Sequence, residues 1–582
     1  MSGDAEGAAP GPSPAGLSPS GPSPAGPSPS GDGAQPRWLA ARVGGFPAAS
    51  LALAAAFAPA AWAARFLQDD AYISFRYAAN IARGLGPVWQ PGEAVFGFTN
   101  PAWTYLIAAA VALGGAPEAA AMALGILFAL VCLLAVARLG ATQETEPAAR
   151  LAAPLLLAGC WSVLRYATGG LETSMQAAAV AVSMLALARC LRPGAGPGAF
   201  AALSLALGAA GWVRLDSAVF VAVFAGAAAL AAWRSPRRGA ALAALAGPGA
   251  ALLAGYLAWS LLHFGTAIPN TFAAKQAAGL RMQMEAGAIY VAQFLVNSGL
   301  AIVGLGALVF ARSLLRSPFH AALLAGVLAW AAYVVAVGGD FMEFRFLVPG
   351  LPPLAVLGAR VFALATAALS PAARRGALAA LALGLLGHST LQAVGFRDHR
   401  WIESTWELEA HIARDGWNWI GMGEALARAF PQGFDGPVIA VTAAGAIPYA
   451  SGLPTVDMLG LTDPWTARHG VELDRVGHRR LATLDHLLDR GVALMIGSPE
   501  PLPEAEAASA PHRANWALAT GPSPSPEALA ALRRARSLTL PFGEGMRLPM
   551  LYLVPDARVD AAIAAGVLSD HGPAIWAGAE GD

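Results

Sequence analysis

The chain has 582 residues, with 37 Lys and Arg balanced by 37 Asp and Glu, 56% apolar residues, 13% charged residues and a mean hydropathy of +0.53. A soluble domain carries about 25% charged residues, so half that share over this length excludes a wholly soluble protein and makes lipid the solvent for much of it. Zero net charge without any Lys/Arg block argues against a nucleic-acid partner, and Cys132, Cys160 and Cys190, all inside apolar runs, argue against a disulfide framework or a Cys/His metal site.

Residues 1–36 repeat Gly-Pro-Ser-Pro-Ala with almost no apolar bulk, which predicts a disordered tail over 1–40. The apolar run that follows is long and has no clear cleavage site, so it reads as a span and not as a secretory signal. Twelve apolar runs lie at roughly 44–64, 101–115, 117–138, 151–167, 173–190, 198–213, 216–233, 238–262, 289–312, 319–338, 346–368 and 374–393. Arg and Lys in short loops favour the cytoplasm. The loops Arg234–Arg238, Arg312–Arg316 and Arg374-Arg375 are separated by even numbers of runs, so all three can be cytoplasmic together. That choice sends the last run outward. It also leaves one run too many between an outer loop at 65–100 and the cytoplasmic Arg138. The short run that opens Pro101-Ala-Trp-Thr-Tyr is the one to set aside, as a juxtamembrane or re-entrant helix over 101–115. The expectation is an α-helical polytopic membrane region over 41–395 with about 11 transmembrane helices. The N-terminus is cytoplasmic, and 396–582 is an extracytoplasmic α/β domain of a multi-pass protein in the cell's inner (plasma) membrane.

With this topology the ionisable groups gather on the outer face, and such groups near membrane helices mark function. The first outer loop carries Asp69-Asp70-Ala-Tyr-Ile-Ser-Phe-Arg76-Tyr77, which resembles a helix start with Asp at the cap. Asp70, Ser74 and Tyr77 share one helical face, and Asp69, Tyr72 and Arg76 an adjoining one. Four more clusters follow: Gly169-Gly-Leu-Glu172, Arg214-Leu-Asp216, His263 through Asn270 to Lys275, and Gly338-Gly-Asp340-Phe-Met-Glu343-Phe-Arg345. A carboxylate can serve as general base toward an acceptor hydroxyl, while Arg and Lys hold a phosphate leaving group. An Asp pair can also hold a divalent ion, but no full ligand set is visible, so a metal cofactor stays open.

These residues carry a resemblance. Asp69–Tyr77 followed by Gly-Leu-Gly, Pro-Gly-Glu and Gly-Phe-Thr-Asn-Pro-Ala-Trp is similar to the first outer loop of GT-C glycosyltransferases, nearest to the bacterial terminal β-(1→2)-arabinofuranosyltransferase group. Ile268–Phe272 with Lys275, Gly-Gly-Asp340 with Arg345, Gly445-Ala-Ile-Pro-Tyr-Ala-Ser-Gly-Leu-Pro, and Asp457–Asp463 continue the match in order over about residues 65–480. The resemblance implies a polyprenyl-phosphate sugar donor, a glycan or lipid acceptor, and an outer-face site with a catalytic carboxylate in the first outer loop. Carried over, Asp69 or Asp70 is the base, with Asp69 favoured. Arg76, Lys275 and Arg345 become candidates for the donor phosphate, and Asn270, Glu172, Asp216, Asp340 and His263 for sugar and acceptor contacts. Tyr77 and Arg214 belong to the same candidate set. Gly92-Glu-Ala-Val-Phe-Gly-Phe98 lacks one acid and one phenol of the usual run, and Arg214-Leu-Asp216 stands where Arg-Pro-Asp is frequent. Both departures bear on which sugar or acceptor is used. A flippase for lipid-linked glycans is the alternative, disfavoured because no internal repeat is visible and the charges lie at span ends.

Beyond Asp398 the composition turns mixed and aromatic, with Trp401, Trp406, Trp417 and Trp419. Strands are expected at Val438–Thr442, Val492–Ile496 and Leu551–Val554, and helices at Arg479–Asp489 and Pro526–Ala535. The domain is expected to cover the outer cavity and help bind the acceptor.

Overall fold

The computed structural model describes residues 42–43, 46–275, 279–397, 402–473, 477–507, 524–543 and 545–574. The tail at 1–40 and Trp401 lie outside these residues. Seven helices are long and apolar enough to cross a membrane: Pro117–Gln143, Thr173–Cys190, Leu215–Trp233, Arg238–Phe264, Pro318–Val337, Arg345–Ala365 and Pro371–Gly395. An eighth crossing results if Leu280–Ser298 and Ala301–Val309 act as one span, bent by 96° at Gly299, whose φ of +70° ends the first helix. Shorter apolar helices occupy Ala48–Ala63, Pro101–Ala112, Pro147–Ala158 and Pro197–Val213. The expected single run at 151–167 is two helices, Pro147–Ala158 and Trp161–Tyr166, broken at Gly159-Cys160.

Burial sorts these helices. Thr173–Cys190 and Arg345–Ala365 are 72% buried and form the centre, whereas Arg238–Phe264 is 11% and Pro371–Gly395 17% buried. A helix that is apolar all round and exposed in the isolated chain has lipid as its remaining solvent. Small residues let the backbones approach: a methyl group on Gly249 would sit 2.8 Å from the Ser204 carbonyl of the neighbouring helix.

The C-terminal region contains a seven-stranded mixed sheet. Its order is Ser569–Pro573, Arg536–Gly543, Met546–Tyr552, Leu494–Gly497, Ile439–Val441, Thr455–Asp457, with Leu502–Pro503 pairing the start of Met546–Tyr552. Ile439–Val441 is parallel to both neighbours, with Ile439 opposite Thr455 on one side and Leu494 on the other. These strands are buried apolar runs, as parallel strands covered on both faces are. The chain leaves Ile439–Val441 for the neighbour on one side, then crosses over to the other side. Such a reversal opens a crevice at the carboxyl end of the central strand. Two expected helix or strand bounds shift: residues 480–481 are strand, so the helix there is only Leu484–Asp489, and the last expected strand begins earlier, at Met546.

Candidate active site

The helix Asp69–Ala82 meets the crevice at that strand end through Gly445 and Ala446. Gln68, not Asp69, is its N-cap residue. The Asp69 carboxylate is therefore free to reach outward and accepts hydrogen bonds from the backbone N–H of Gly445 at 3.1 Å and of Ala446 at 2.7 Å. Those two amides begin the Ala446–Ser451 helix. Gly445 is required by the closeness of this contact, because a Cβ there would lie 1.9 Å from the Asp69 carbonyl oxygen. Burial pushes the Asp69 carboxyl up to about 7; the Ala446 and Gly445 amides resist the rise, and the Asp70 charge adds to it.

Asp69 and Asp70 both line a cavity of about 610 Å³. Its other walls come from Phe341 and Met342, from the turn after Ile439–Val441 (Thr442–Ala444), and from Ser498–Glu500 after Leu494–Gly497. The volume falls within the roughly 300–1,000 Å³ typical of small-molecule sites. The Asp70 carboxyl is also raised by burial, and Lys275 and Arg345 are the cations that oppose the shift. Lys275 is itself lowered by burial, with Asp340 and Asp70 favouring its charge. Among the described residues the Lys275 ammonium makes no hydrogen bond or ion pair, while its backbone N–H donates to the Thr271 carbonyl. Arg345 Nε lies 2.9 Å from Asp340 Oδ2. Phe344, before it, has φ +49°, an uncommon conformation for a bulky residue. Its ring is fixed among Tyr290, Phe294 and Phe396, and this kink sets the direction in which Arg345 leaves the chain.

A second set of charges is closed on itself. Arg214 donates to Glu172 at 2.6 Å and, through Nε and Nη2, to Asp216 Oδ2 at 2.9 and 2.7 Å. Glu172 accepts from Asn100 at 2.6 Å, and Asn100 accepts from Ser74 and Thr104. Asp216 also accepts from Gln176 at 2.7 Å. This network ties together the ends of four helices, Pro101–Ala112, Thr173–Cys190, Pro197–Val213 and Leu215–Trp233. Its guanidinium is already matched by two carboxylates.

Several sequence candidates turn out to be struts. Arg76 does not reach the cavity: it donates to the carbonyls of Trp89 at 3.0 Å, Pro448 at 2.5 Å and Leu453 at 2.8 Å, and its guanidinium lies 4.4 Å from the Trp89 ring centroid. It pins the Asp69–Ala82 helix to the C-terminal region. Tyr77 donates to the Val95 carbonyl at 2.8 Å within a buried aromatic group including Trp89, Phe96 and Phe98. Asn270 donates to the carbonyls of Gly460 and Leu461 and accepts from Arg468, which fastens the Asn270–Ala274 helix to the same region. His263 is exposed and bonds the Trp259 carbonyl one turn back, away from the cavity. The residues that converge are thus Asp69, Asp70, Lys275, Asp340 and Arg345, with Glu172, Arg214 and Asp216 behind them. Among the described residues no group of three or more His, Cys, Asp or Glu converges to hold a metal ion.

Sequence reasoning missed Gly445 and Ala446 as partners of Asp69, although both lie in a segment singled out for its resemblance. It also missed Arg165, which donates to the Ala64 carbonyl at 2.6 Å and to Glu409 at 2.5 Å, clamping a membrane helix end to the C-terminal region.

The fold is similar to those of two solved proteins. It superposes on ArnT from Cupriavidus metallidurans, in a crystal structure bound to undecaprenyl phosphate, with a TM-score of 0.50 and 13% identity, covering 87% of this chain and 98% of that one. It likewise matches the Archaeoglobus fulgidus oligosaccharyltransferase, in a complex with Zn and sulfate, with a TM-score of 0.50 and 12% identity, covering 84% of this chain and 72% of that one. In sequence it is similar to the terminal β-(1→2)-arabinofuranosyltransferase of Mycobacterium tuberculosis, 29% identical over 340 residues, which are 52% of this chain and 53% of that protein. The match thus spans about half the length of that curated relative. A family described as "Domain of unknown function (DUF8728)" matches residues 406–538.

Proposed function

We propose that the chain is a glycosyltransferase that moves a sugar, with arabinofuranose the first candidate, from a polyprenyl-phosphate donor to a cell-envelope glycan or lipid acceptor on the outer face. The carrying observation is the adjacent Asp69 and Asp70 on one cavity, with Lys275 and Arg345 within electrostatic reach of Asp70. In the step, the acceptor hydroxyl oxygen bonds to the sugar's anomeric carbon while the bond from that carbon to the phosphate oxygen breaks. The phosphate leaves with the bonding electrons, and the hydroxyl proton passes to Asp69. A carboxyl held at about 7 can accept a proton near neutrality without being fully blocked by it. Lys275 and Arg345 stabilise the departing phosphate, and Asp70 and Asp340 orient those cations. The fold shared with ArnT supports a polyprenyl-phosphate donor, and the sequence similarity to the arabinofuranosyltransferase supports the sugar.

The same reading uses eleven crossings. The seven long helices and the bent pair cross, as do Ala48–Ala63, Pro147–Ala158 and Pro197–Val213, while Pro101–Ala112 lies at the outer surface. The N-terminus is then cytoplasmic and the C-terminal domain, from about residue 396, extracytoplasmic. Accessibility labelling of single cysteines at Ser235 and Ser317 (inside) and at Ser498 (outside) tests this.

The functional test is sugar transfer by purified protein in lipid nanodiscs with a panel of polyprenyl-phosphate sugars. Asp69→Asn and Asp70→Asn each lower turnover by at least a hundredfold, and Lys275→Ala raises the donor KM. Full transfer by both Asp variants would remove the base assignment. A wild type that moved labelled lipid-linked glycan across the bilayer without transferring sugar would favour the flippase.

A further inference from the structure

Sugars recognise two kinds of surface, an aromatic face for their C–H edges and carboxylates for their hydroxyls. The C-terminal wall of the cavity presents both. Trp417 and Trp419 lie 6.0 Å apart at 70°, and the His411 ring stacks on Trp419 at 4.4 Å and 10°. The Trp419 N–H is used by the Pro499 carbonyl at 2.9 Å, which holds the indole in place. Trp417 is 37% exposed while lining the cavity. The turn that aims both rings depends on Asn418 at φ +57°, whose side chain caps the following helix by accepting from Gly421 N–H at 3.0 Å. Asn adopts this left-handed backbone readily, and here it turns the chain between the two indoles. Nothing in core packing calls for an indole as open as that of Trp417.

Carboxylates lie beside these rings, and Glu403 Oε2 is 4.0 Å from His411 Nδ1. Glu403 and Glu500 line the cavity with Asp69 and Asp70, and among the described residues no Lys or Arg does. The cations of the site, Lys275 and Arg345, are not part of this wall.

Resting on the glycosyltransferase reading, we propose that the Trp417/Trp419/His411 face with Glu500 is the acceptor subsite, and that it takes an uncharged glycan while rejecting acidic ones. The phosphate donor then approaches from the Lys275 and Arg345 side, so the two substrates are sorted by charge across Asp70. Rigid aromatic faces supply contact area at little cost in side-chain freedom, and carboxylates accept hydroxyl protons but repel uronate or phosphate groups.

The test is direct binding to the purified full chain in nanodiscs, followed by tryptophan fluorescence and calorimetry. The probes are neutral tetrasaccharides (arabinan, mannan, galactan and glucan types) and tetragalacturonate. At least one neutral probe is expected to bind, with affinity at least tenfold weaker for Trp417→Ala and for tetragalacturonate. Glu500→Gln is expected to narrow the neutral-to-acidic gap at least threefold. In transfer assays with a productive donor, Trp417→Ala raises the acceptor KM and leaves the donor KM unchanged, a split that a merely structural indole would not give. The subsite is overturned if no neutral probe binds in a Trp417-dependent way, or if tetragalacturonate binds as well as the neutral probes. Binding that depends on Trp417 in a protein that transfers no sugar would keep the subsite and remove the enzyme reading; transfer with an acceptor KM indifferent to Trp417→Ala would do the reverse.

Discussion

Gly445→Ala attacks the Asp69 environment without touching the carboxylate. A Cβ at this position would sit 1.9 Å from the Asp69 carbonyl oxygen and 2.7 Å from its Cγ, and contacts under 3.0 Å force movement. The shortfall, 3.0 less 1.9, is 1.1 Å, and it falls on backbone, which cannot swing aside. A separation of that size lengthens the 3.1 and 2.7 Å hydrogen bonds from Gly445 and Ala446 beyond useful range. Each is a bond to an ionised group, worth about 1.5–3 kcal/mol, and cavity water will replace part of it. A net loss of about 1.5–3 kcal/mol for the pair corresponds to roughly one to two pH units at ~1.36 kcal/mol per unit. The sign is fixed: both bonds favour the charged carboxylate, so losing them raises a pKa already held at about 7. For a general base, kcat/KM rises as pH rises through that pKa. The ascending limb of the variant is therefore displaced by about one to two units to the alkaline side. At pH 7, where the wild-type carboxyl is about half ionised, transfer falls roughly five- to fiftyfold, and part of it returns at pH 9. The assay is transfer across pH 5.5–9.5 on nanodisc protein whose melting curve shows it folded. A folded Gly445→Ala protein with an unmoved limb would refute Asp69 as the titrating base.

Three further outcomes follow from the same contacts. Arg76→Met leaves the Trp89, Pro448 and Leu453 carbonyls without their donor, so it should destabilise the protein by about 3–5 kcal/mol while leaving the donor KM unchanged; a raised donor KM in folded protein would restore its phosphate role. Arg214→Ala strands Glu172 and Asp216 without their shared cation, at a similar cost of about 3–5 kcal/mol, and Arg214→Ala/Glu172→Gln should recover part of it in thermal melts. Burial pushes the Asp457 carboxyl up to about 6, so its favourable contribution is complete below about pH 4 and is lost as pH rises through 6. Asp457→Asn should accordingly flatten the fall in C-terminal-domain melting temperature between pH 4.5 and 7.5, and an unchanged slope would place the titration elsewhere.

The membrane class was legible because lipid leaves a one-dimensional signature: apolar runs of sufficient length, interrupted by Arg-bearing loops. The seven long helices follow from that pattern directly. Run length could not show that 151–167 breaks at Gly159-Cys160 or that Leu280–Val309 bends by 96°, since both depend on how neighbouring helices pack. The acidic pair was legible as well, because two adjacent Asp at a helix start and four other polar clusters stood out against apolar surroundings.

Charge and position along the chain could not assign roles within that set. Arg76, Asn270, Lys275 and Arg345 look alike in sequence, each a long or polar side chain near the end of an apolar run. Tertiary structure separates them by what is within reach: Arg76 and Asn270 meet backbone carbonyls of the C-terminal region and are used up, while Lys275 and Arg345 sit with Asp70 and Asp340. The sequence by itself showed that carboxylates and cations cluster at the ends of apolar runs. Only the fold, by bringing Gly445 and Ala446 across more than 370 residues to Asp69, decided which carboxylate is held by backbone amides and raised toward neutrality. Hydrogen bonds and burial act over a few ångströms in space, and chain order carries no record of that distance.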